Sequence, residues 1–185
     1  MRKVEVVRTY LELPSLAELV PGPAPTAAQE LRVERVASPT PALYRGLYDG
    51  VGGEFHWLDR RAWDDGRLRA HLARPQIALH LLHRGPQPAG WFELESHADG
   101  SIELVYFGIL AAHRRLGLGR FLLNAAAREA FGAGARCLWL HTCTLDDPAA
   151  LPNYLARGFR RVREERYTAE IGDAPADPSE QPPTR

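Results

Sequence analysis

The stretch from residue 102 to residue 122 contains the residue types best suited to binding an anion. A predicted strand runs directly into Ala111-Ala112-His113-Arg114-Arg115-Leu116-Gly117-Leu118-Gly119 and then into a helical pattern. A strand, a glycine-containing turn and a helix N-terminus direct unpaired N–H groups and the positive end of the helix dipole toward one point. The glycines let the backbone approach a ligand closely, and the segment adds positive charge at Arg114, Arg115 and Arg120. The pattern predicts a site for a phosphate-rich ligand.

Two familiar phosphate motifs fit this segment less well. Gly117-Leu118-Gly119-Arg120-Phe121-Leu122 lacks the third glycine of a dinucleotide fingerprint, and no Lys-Ser or Lys-Thr pair follows, as it would in a P-loop. The elements before it read as hairpins and not as βαβ units. The other interpretation is a helix start with two incidental glycines.

Two short motifs resemble the signatures of one enzyme family. Arg114-x-x-Gly117-x-Gly119 is similar to the Arg/Gln-x-x-Gly-x-Gly/Ala signature with which GCN5-related N-acetyltransferases cradle the pyrophosphate of acetyl-CoA. Forty residues on from Arg114, Tyr154-Leu155-Ala156-Arg157-Gly158-Phe159 resembles the Tyr-x-x-x-Gly-Phe signature of the same family. The likeness covers about residues 77–162. It departs from the family at Ala111, where a proline is usual, and at Asp147, where an asparagine is common.

The resemblance implies a fold, a cosubstrate and a set of binding residues. The fold is an α/β structure with a mixed, mostly antiparallel sheet that is splayed between the strands beginning near Ile102 and Arg136, with helices on both faces. The cosubstrate is acetyl-CoA, and no metal is implied. The expected binding residues are Ile109, Leu110, Ala111, Arg114, Arg115, Leu116, Gly117, Leu118, Gly119 and Arg120, with an oxyanion held by backbone N–H groups around Ile109 or Leu110.

Acetyl transfer to an amine requires a base and an acid. An alkyl ammonium with a pKa near 10.4 is almost fully protonated at pH 7, so a base or a water chain must remove a proton. By resemblance Glu103 is the first candidate base, with Glu93 and Glu95 on the neighbouring strand as alternatives; the other reading of Glu103 is a carboxylate on an exposed sheet face. Tyr154 is the candidate acid for the departing thiolate, against an alternative role in packing at a helix end.

Several other polar residues suggest weaker hypotheses. His141-Thr142-Cys143 has no second ligand pair for zinc and is poorly spaced for a cysteine nucleophile, so both residues are expected to line a pocket or the core. The aromatic-rich segment from Tyr44 to Trp63 is where the family usually closes over the acceptor. Its polar members, His56, Asp59 and Arg60, are the candidate specificity contacts.

Hydrophobic periodicity and turn residues predict the elements that position these groups. Strands are expected at 4–13, 31–37, 77–83, 89–96, 102–110, 136–144 and 159–171, with a strong hairpin signal at Asp99-Gly100. Two helices joined by an aromatic-rich bend are expected between residues 41 and 73, and further helices at 117–131 and 148–157. We expect one domain over 1–172 and a proline-rich disordered tail over 173–185.

Composition narrows the function classes. The chain has 185 residues, of which 45% are hydrophobic and 25% charged, and its 23 basic and 23 acidic residues balance, unlike those of a nucleic-acid binder. There is no signal peptide and no apolar run long enough to span a membrane. Two cysteines, Cys137 and Cys143, in one predicted strand cannot bridge each other, which fits a reducing cytoplasm.

The sequence therefore favours a cytoplasmic, acetyl-CoA-dependent N-acetyltransferase that works by direct attack in a ternary complex. The acceptor is expected to be a small-molecule or peptide amine, with no nucleic-acid or membrane partner, and a homodimer is left open. A non-catalytic acyl-CoA-binding module is the alternative from another class. Tyr154 with a nearby carboxylate favours the enzyme, because a pure binder would need neither.

Overall fold

A computed structural model describes residues 2–23, 25 and 30–171. Its strands and helices agree with the expected ones to within two residues at each boundary that the sequence specified; the end of α1 and the start of α2 were not specified. The strands are β1 (Arg2–Leu13), β2 (Leu31–Arg35), β3 (Ile77–Arg84), β4 (Gln87–Ser96), β5 (Ile102–Ile109), β6 (Leu138–Cys143) and β7 (Arg160–Ile171). The helices are α1 (Pro41–Gly52), α2 (Asp65–Leu72), α3 (Leu118–Gly132) and α4 (Ala150–Ala156), with short 3-10 turns at Leu16–Glu18 and Ala111–His113. The expected tail, 173–185, lies outside the described residues.

The seven strands form one sheet in the order β2-β3-β4-β5-β6-β1-β7. Every neighbouring pair is antiparallel except β5 and β6, which are parallel and pair only at Ile102 with Leu138 and Glu103 with Trp139. Beyond those two pairs the strands separate. The expectation of a mixed, mostly antiparallel sheet that is splayed in the middle is confirmed.

The position of β1 was not predicted from the sequence. This first strand lies between β6 and the last strand, β7, and is antiparallel to both. Its register places Arg8 opposite Cys143 and Tyr10 opposite His141. Residues that are more than 130 positions apart in the chain therefore share one end of the sheet.

The core consists of one apolar layer on each face of the sheet, with helices on both faces as expected. On one face α3 packs on strand residues that include Leu11, Phe92, Leu104 and Leu138. On the other, α1 and α2 pack over Leu79, Trp91 and Tyr106. Among residues 2–23, 25 and 30–171, no helix combines the length and apolar composition needed to cross a membrane.

A β-bulge in β5 changes which side chains share a face. Leu94 pairs with Leu104 and Glu93 pairs with Tyr106, so Val105 is an extra residue in β5. Because side chains alternate along a strand, this insertion puts Glu103 and Tyr106 on the same face, the one covered by α1 and α2. The bulge lies where β5 and β6 begin to separate.

Candidate active site

A cleft of about 900 Å³ occupies the opening between β5 and β6. One wall is the end of β5 with the first turn of α3, and the other is formed by the end of β6, by α4 and by β1 and β7. The bend between α1 and α2 also borders this cleft. The cleft brings together residues that the sequence singled out from separate segments: His56, Asp59, Ile109, Arg114, Arg115, Gly117, Leu118, Gly119, Arg120, His141, Cys143 and Tyr154.

The first turn of α3 offers backbone N–H groups to this cleft. Gly117 caps the helix with a left-handed φ of 75° and no side-chain hydrogen bond, and Arg115 is also left-handed at 63°. Within the described chain, no carbonyl accepts from the N–H groups of residues 118–120. A Cβ on Gly119 would meet only Ile109 Cγ1, at 4.0 Å, so Gly119 opens onto free space. An anion can therefore reach the unpaired donors at the positive end of the helix dipole.

Arginine side chains around this turn carry further unpaired donors. Among the described residues, Arg114 Nη2 and Arg120 Nε are buried and have no hydrogen-bond partner. The rest of the Arg114 guanidinium is held in place, because Nε donates to the Ile109 carbonyl at 3.2 Å and Nη1 to Glu54 Oε2 at 2.5 Å. Buried donors without partners are costly, and an anion would satisfy them.

The end of β5 supplies N–H groups from alternate residues. Leu110 N–H donates to the Ala89 carbonyl of β4 at 3.0 Å, so it is not free to hold an oxyanion, contrary to one of our expectations. Alternation along the strand then directs the N–H groups of Phe107 and Ile109 away from β4, toward the opening. Both residues border the cleft.

Three expected binding residues do not border the cleft. Leu110 packs with the core layer under α1, and Leu116 packs with the layer under α3. Ala111 begins the 3-10 turn that leads away from β5. These three residues lie in the loop that the motif forms, and their contact with a cofactor stays a prediction.

The second motif forms the end of α4. Gly158 N–H donates to the Leu155 carbonyl and Phe159 N–H to the Tyr154 carbonyl, with Gly158 at φ 96°. This is the Schellman arrangement, in which a left-handed residue, usually glycine, follows the helix and an apolar residue after it packs back on the third residue from the end. The Tyr154 and Phe159 rings do so, with centroids 5.9 Å apart. Tyr-x-x-x-Gly-Phe is therefore a helix-ending motif that fixes the tyrosine.

Tyr154 is held between two aromatic rings and faces the cleft. Its ring is also 6.1 Å from that of Phe107, so the side chain bridges the two sides of the splay. Burial, followed by the charge of Asp146, raises the pKa of Tyr154. The phenol is therefore protonated at neutral pH and can donate a proton or a hydrogen bond.

Glu103 lies beside the cleft and not in its lining. Its side chain is 13% exposed, and its carboxylate is 3.4 Å from His97 Nε2 and 3.9 Å from His141 Nε2. Burial raises the pKa of Glu103, and the neighbouring Glu95 raises it further, while His97 lowers it. Of these residues only His141 borders the cleft.

A buried ion-pair cluster lies under the bend between α1 and α2. Arg60 Nη1 is 2.9 and 3.0 Å from the two carboxylate oxygens of Glu93, 2.8 Å from His71 Nε2 and 2.5 Å from the Tyr44 hydroxyl. Arg60 is 8% exposed and Glu93 is fully buried. Burial by itself would raise the pKa of Glu93, but the hydrogen bond from His71 and the charge of Arg60 outweigh it, and the pKa is lowered.

This cluster corrects two expectations. Arg60 is paired inside the protein, so it is not a specificity contact with an acceptor. Glu93 is ionised, fully engaged and absent from the cleft lining, so it is not placed to act as the base. Glu95 pairs with Arg74 at 2.6 Å and does not border the cleft either.

The sequence did not reveal several residues of the cleft wall. Arg8 of β1 and Tyr167 of β7 border it and are hydrogen bonded to each other at 3.3 Å. Asn153 of α4 also borders it. Because Arg8 and Tyr167 reach the site only through the pairing of distant strands, no local pattern could have identified them.

The two cysteines are free. Cys143 borders the cleft beside His141, as expected for pocket-lining residues, and Cys137 lies one residue before β6. Asp146 fixes the end of β6 by accepting from Thr142 Oγ1 at 2.7 Å and from Cys143 N–H at 2.8 Å. Asp147 accepts from Ala149 N–H at 2.8 Å, just before α4.

Solved structures with this fold include proteins named as acetyltransferases. A GCN5-related N-acetyltransferase from Kribbella flavida superposes with a TM-score of 0.60 at 22% identity, over 86% of this chain and 56% of that one. An aminoglycoside acetyltransferase from an uncultured soil metagenomic sample, solved with trehalose, gives a TM-score of 0.57 at 14% identity, over 69% of this chain and 87% of that one.

Sequence comparison finds the same family. The chain is 32% identical over 171 residues to a mycothiol acetyltransferase from Clavibacter michiganensis subsp. michiganensis (strain NCPPB 382), covering 88% of this chain and 50% of that protein. The chain thus spans about half the length of this curated relative. The family model described as "Acetyltransferase (GNAT) family" matches residues 42–159, which include both motifs. With more than half of its length matched, the chain belongs to the GNAT acetyltransferase family.

Proposed function

We propose that this protein transfers an acetyl group from acetyl-CoA to a primary amine of an acceptor bound in the same cleft. The observation that carries the proposal is the convergence of unpaired donors and an acid. The open first turn of α3 lies in one cleft with Tyr154 and with buried nitrogens of Arg114 and Arg120 that have no partner among the described residues.

The residues present fit acetyl-CoA. Its pyrophosphate would satisfy the N–H groups of residues 118–120 and the free arginine nitrogens, where Gly119 leaves room for it. The pantetheine amides would pair with the groups that Phe107 and Ile109 direct into the opening. When bound, acetyl-CoA supplies an activated thioester for attack by an amine.

This chain's residues would then position the reactants and move protons. Because the cleft is shared, donor and acceptor can be held together, and positioning supplies much of the rate. The Tyr154 hydroxyl would protonate the departing sulfur, since its raised pKa keeps it protonated. Glu103 would supply the carboxylate that supports removal of the amine proton, although it stands behind the cleft wall.

The test combines binding with turnover. Release of CoA from acetyl-CoA is followed with a thiol reagent over a panel of amino sugars, amino-acid amides and peptide N-termini, and products are identified by mass spectrometry. In parallel, acetyl-CoA at one hundred times its Kd should stabilise the protein by about 2.7 kcal/mol, which raises Tm by about 5–10 °C.

Two variants test the anion cradle. Gly119→Val places a branched side chain in the space that the pyrophosphate would use, and Arg114→Glu reverses a charge, so both should abolish the Tm shift. Gly46→Val is a matched control, because Gly46 is also a helical glycine with open space at its Cβ position but lies away from the cleft. An unchanged shift in both cradle variants contradicts the binding site. Binding without turnover of any amine identifies the protein as a binding module.

A further inference from the structure

His141 borders the cleft, and a catalytic role for it rests on the proposed acetyl transfer. Glu103 lies outside the cleft lining, yet an acceptor amine in the cleft must lose a proton. We propose that His141 is the catalytic base that takes this proton, and that Glu103 is a positioning residue that orients its ring and stabilises its charged form.

The sheet places His141 at the edge of the splay. The last pair between β5 and β6 joins Glu103 to Trp139. His141 follows two residues later, so its side chain lies on the same face as that of Trp139 but beyond the point where the strands part. It is 37% exposed and borders the cleft, whereas Glu103 is 13% exposed and does not.

The ring is held from two sides. Tyr10 packs against it edge-on, with ring centroids 5.7 Å apart. Glu103 Oε1 is 3.9 Å from Nε2, which is too long for a direct hydrogen bond but close enough to stabilise an imidazolium. A carboxylate beside an imidazole that accepts a proton is the arrangement found in other acid–base catalysts.

The surrounding charges leave the ring able to accept a proton. Burial and the charge of Arg8 on β1 lower the pKa of His141, so the imidazole is neutral at pH 7. The carboxylates that oppose this effect come from three other segments: Asp146 after β6, Asp59 in the bend and Glu165 on β7. Cys143 is a poorer candidate, because burial raises its pKa and keeps the thiol protonated.

The proton and electron movements balance. The acceptor ammonium gives one proton to the His141 ring, and the freed lone pair attacks the thioester carbonyl carbon. A C–N bond forms, and the C–S bond breaks with its electron pair on sulfur. The second amine proton ends on that sulfur by way of Tyr154, and the imidazolium returns the first proton to solvent. The products are an amide, free CoA and one proton.

The pH profile of kcat/KM for an acetylated amine tests the assignment. With a neutral base in place, the profile should be level, which means that kcat/KM should not change with pH between the pKa of His141 and the amine pKa of about 10. His141→Gln should lower kcat/KM at pH 7 by about 100-fold, and the remaining rate should rise tenfold per pH unit, because only the free amine can then react. The Kd for acetyl-CoA should not change.

His97→Gln is the matched control. His97 is 35% exposed, and its Nε2 is 3.4 Å from Glu103, but it does not border the cleft. His97→Gln should keep the level pH profile of kcat/KM. Glu103→Gln should also keep a level profile, but with a lower kcat/KM at every pH. His141→Ala should regain activity when imidazole is added.

One outcome overturns the inference while leaving acetyl transfer intact, namely a level profile in His141→Gln. A tenfold rise per pH unit in Glu103→Gln or His97→Gln would then identify the residue on which proton removal depends instead. If the parent protein acetylates no amine, the proposed function fails and the role of His141 fails with it. Turnover by the parent thus separates the two failures.

Discussion

Replacing Gly158 by alanine should destabilise the protein strongly, because two separate requirements meet at this glycine. Its φ of 96° lies in a region that residues with a side chain rarely adopt. An added Cβ would also overlap the carbonyl oxygen of Glu18, which belongs to the turn after β1. Tyr154 depends on this position, since Gly158 ends the helix that carries it.

The magnitude follows from the two contributions. Backbone strain at such a φ costs about 1–3 kcal/mol, and overpacking against a backbone atom about 1–3 kcal/mol more. Taking the centre of each range gives a loss of about 4 kcal/mol in the free energy of unfolding. For a chain of this size that lowers Tm by about 8–16 °C.

Two other glycines separate the contributions in urea and thermal unfolding. Gly134 has a similar φ of 91°, but a Cβ there meets nothing within 4 Å, so Gly134→Ala should show the strain alone, about 1–3 kcal/mol. Gly46 is helical and also open, and Gly46→Ala should stabilise the protein by about 0.5–1 kcal/mol. Equal losses in Gly158→Ala and Gly134→Ala would refute the contribution of the Glu18 contact.

Three further predictions concern single side chains. Tyr154→Phe keeps the ring packing, so Tm should stay constant while kcat falls by about 10- to 1,000-fold; a fall in Tm that matches the loss of activity would favour a packing role. Glu93→Gln leaves the Arg60 charge buried without a counter-ion, which should cost about 3–5 kcal/mol in urea unfolding, whereas Glu95→Gln at a more exposed pair should cost less than about 1 kcal/mol. Burial lowers the pKa of His80, so the unfolded chain binds its proton more readily and stability should fall as the pH drops below about 6.5; a His80→Phe variant with the same acid sensitivity would contradict this origin.

Local patterns were enough to predict the elements and the open, glycine-containing turn before α3, where the anion cradle is proposed. This turn is formed by residues that are close together in sequence. The end of the strand at Ile109 and the glycines at 117 and 119 therefore determine its backbone geometry locally. The same holds for Tyr154, because Gly158 and Phe159 determine how its helix ends. Such features are governed by backbone dihedral angles and short-range hydrogen bonds, which a sequence displays directly.

Features that depend on distant partners were missed. In the sequence, Arg60 is a polar residue in an aromatic-rich bend, which suggested contact with an acceptor. In the structure it pairs with Glu93, which is 33 residues away. The β-bulge at Val105 shifts the alternation of β5, so the face occupied by Tyr106 could not be derived from strand periodicity. Nothing in the sequence around Arg8 indicates that it lies opposite Cys143 in the sheet.

The two sides of the cleft therefore depend on the chain in different ways. The proposed acetyl-CoA side is one continuous segment, whereas the proposed acceptor side requires β1 to insert between β6 and β7 in the correct register. A slip of one residue would turn Arg8 and Tyr10 to the opposite face and remove both from His141. Because Arg8 helps keep the His141 ring neutral and Tyr10 packs against it, the proposed base depends on β1 for its charge state and its position. A change that weakens β1 pairing should therefore reduce amine acetylation before it reduces acetyl-CoA binding.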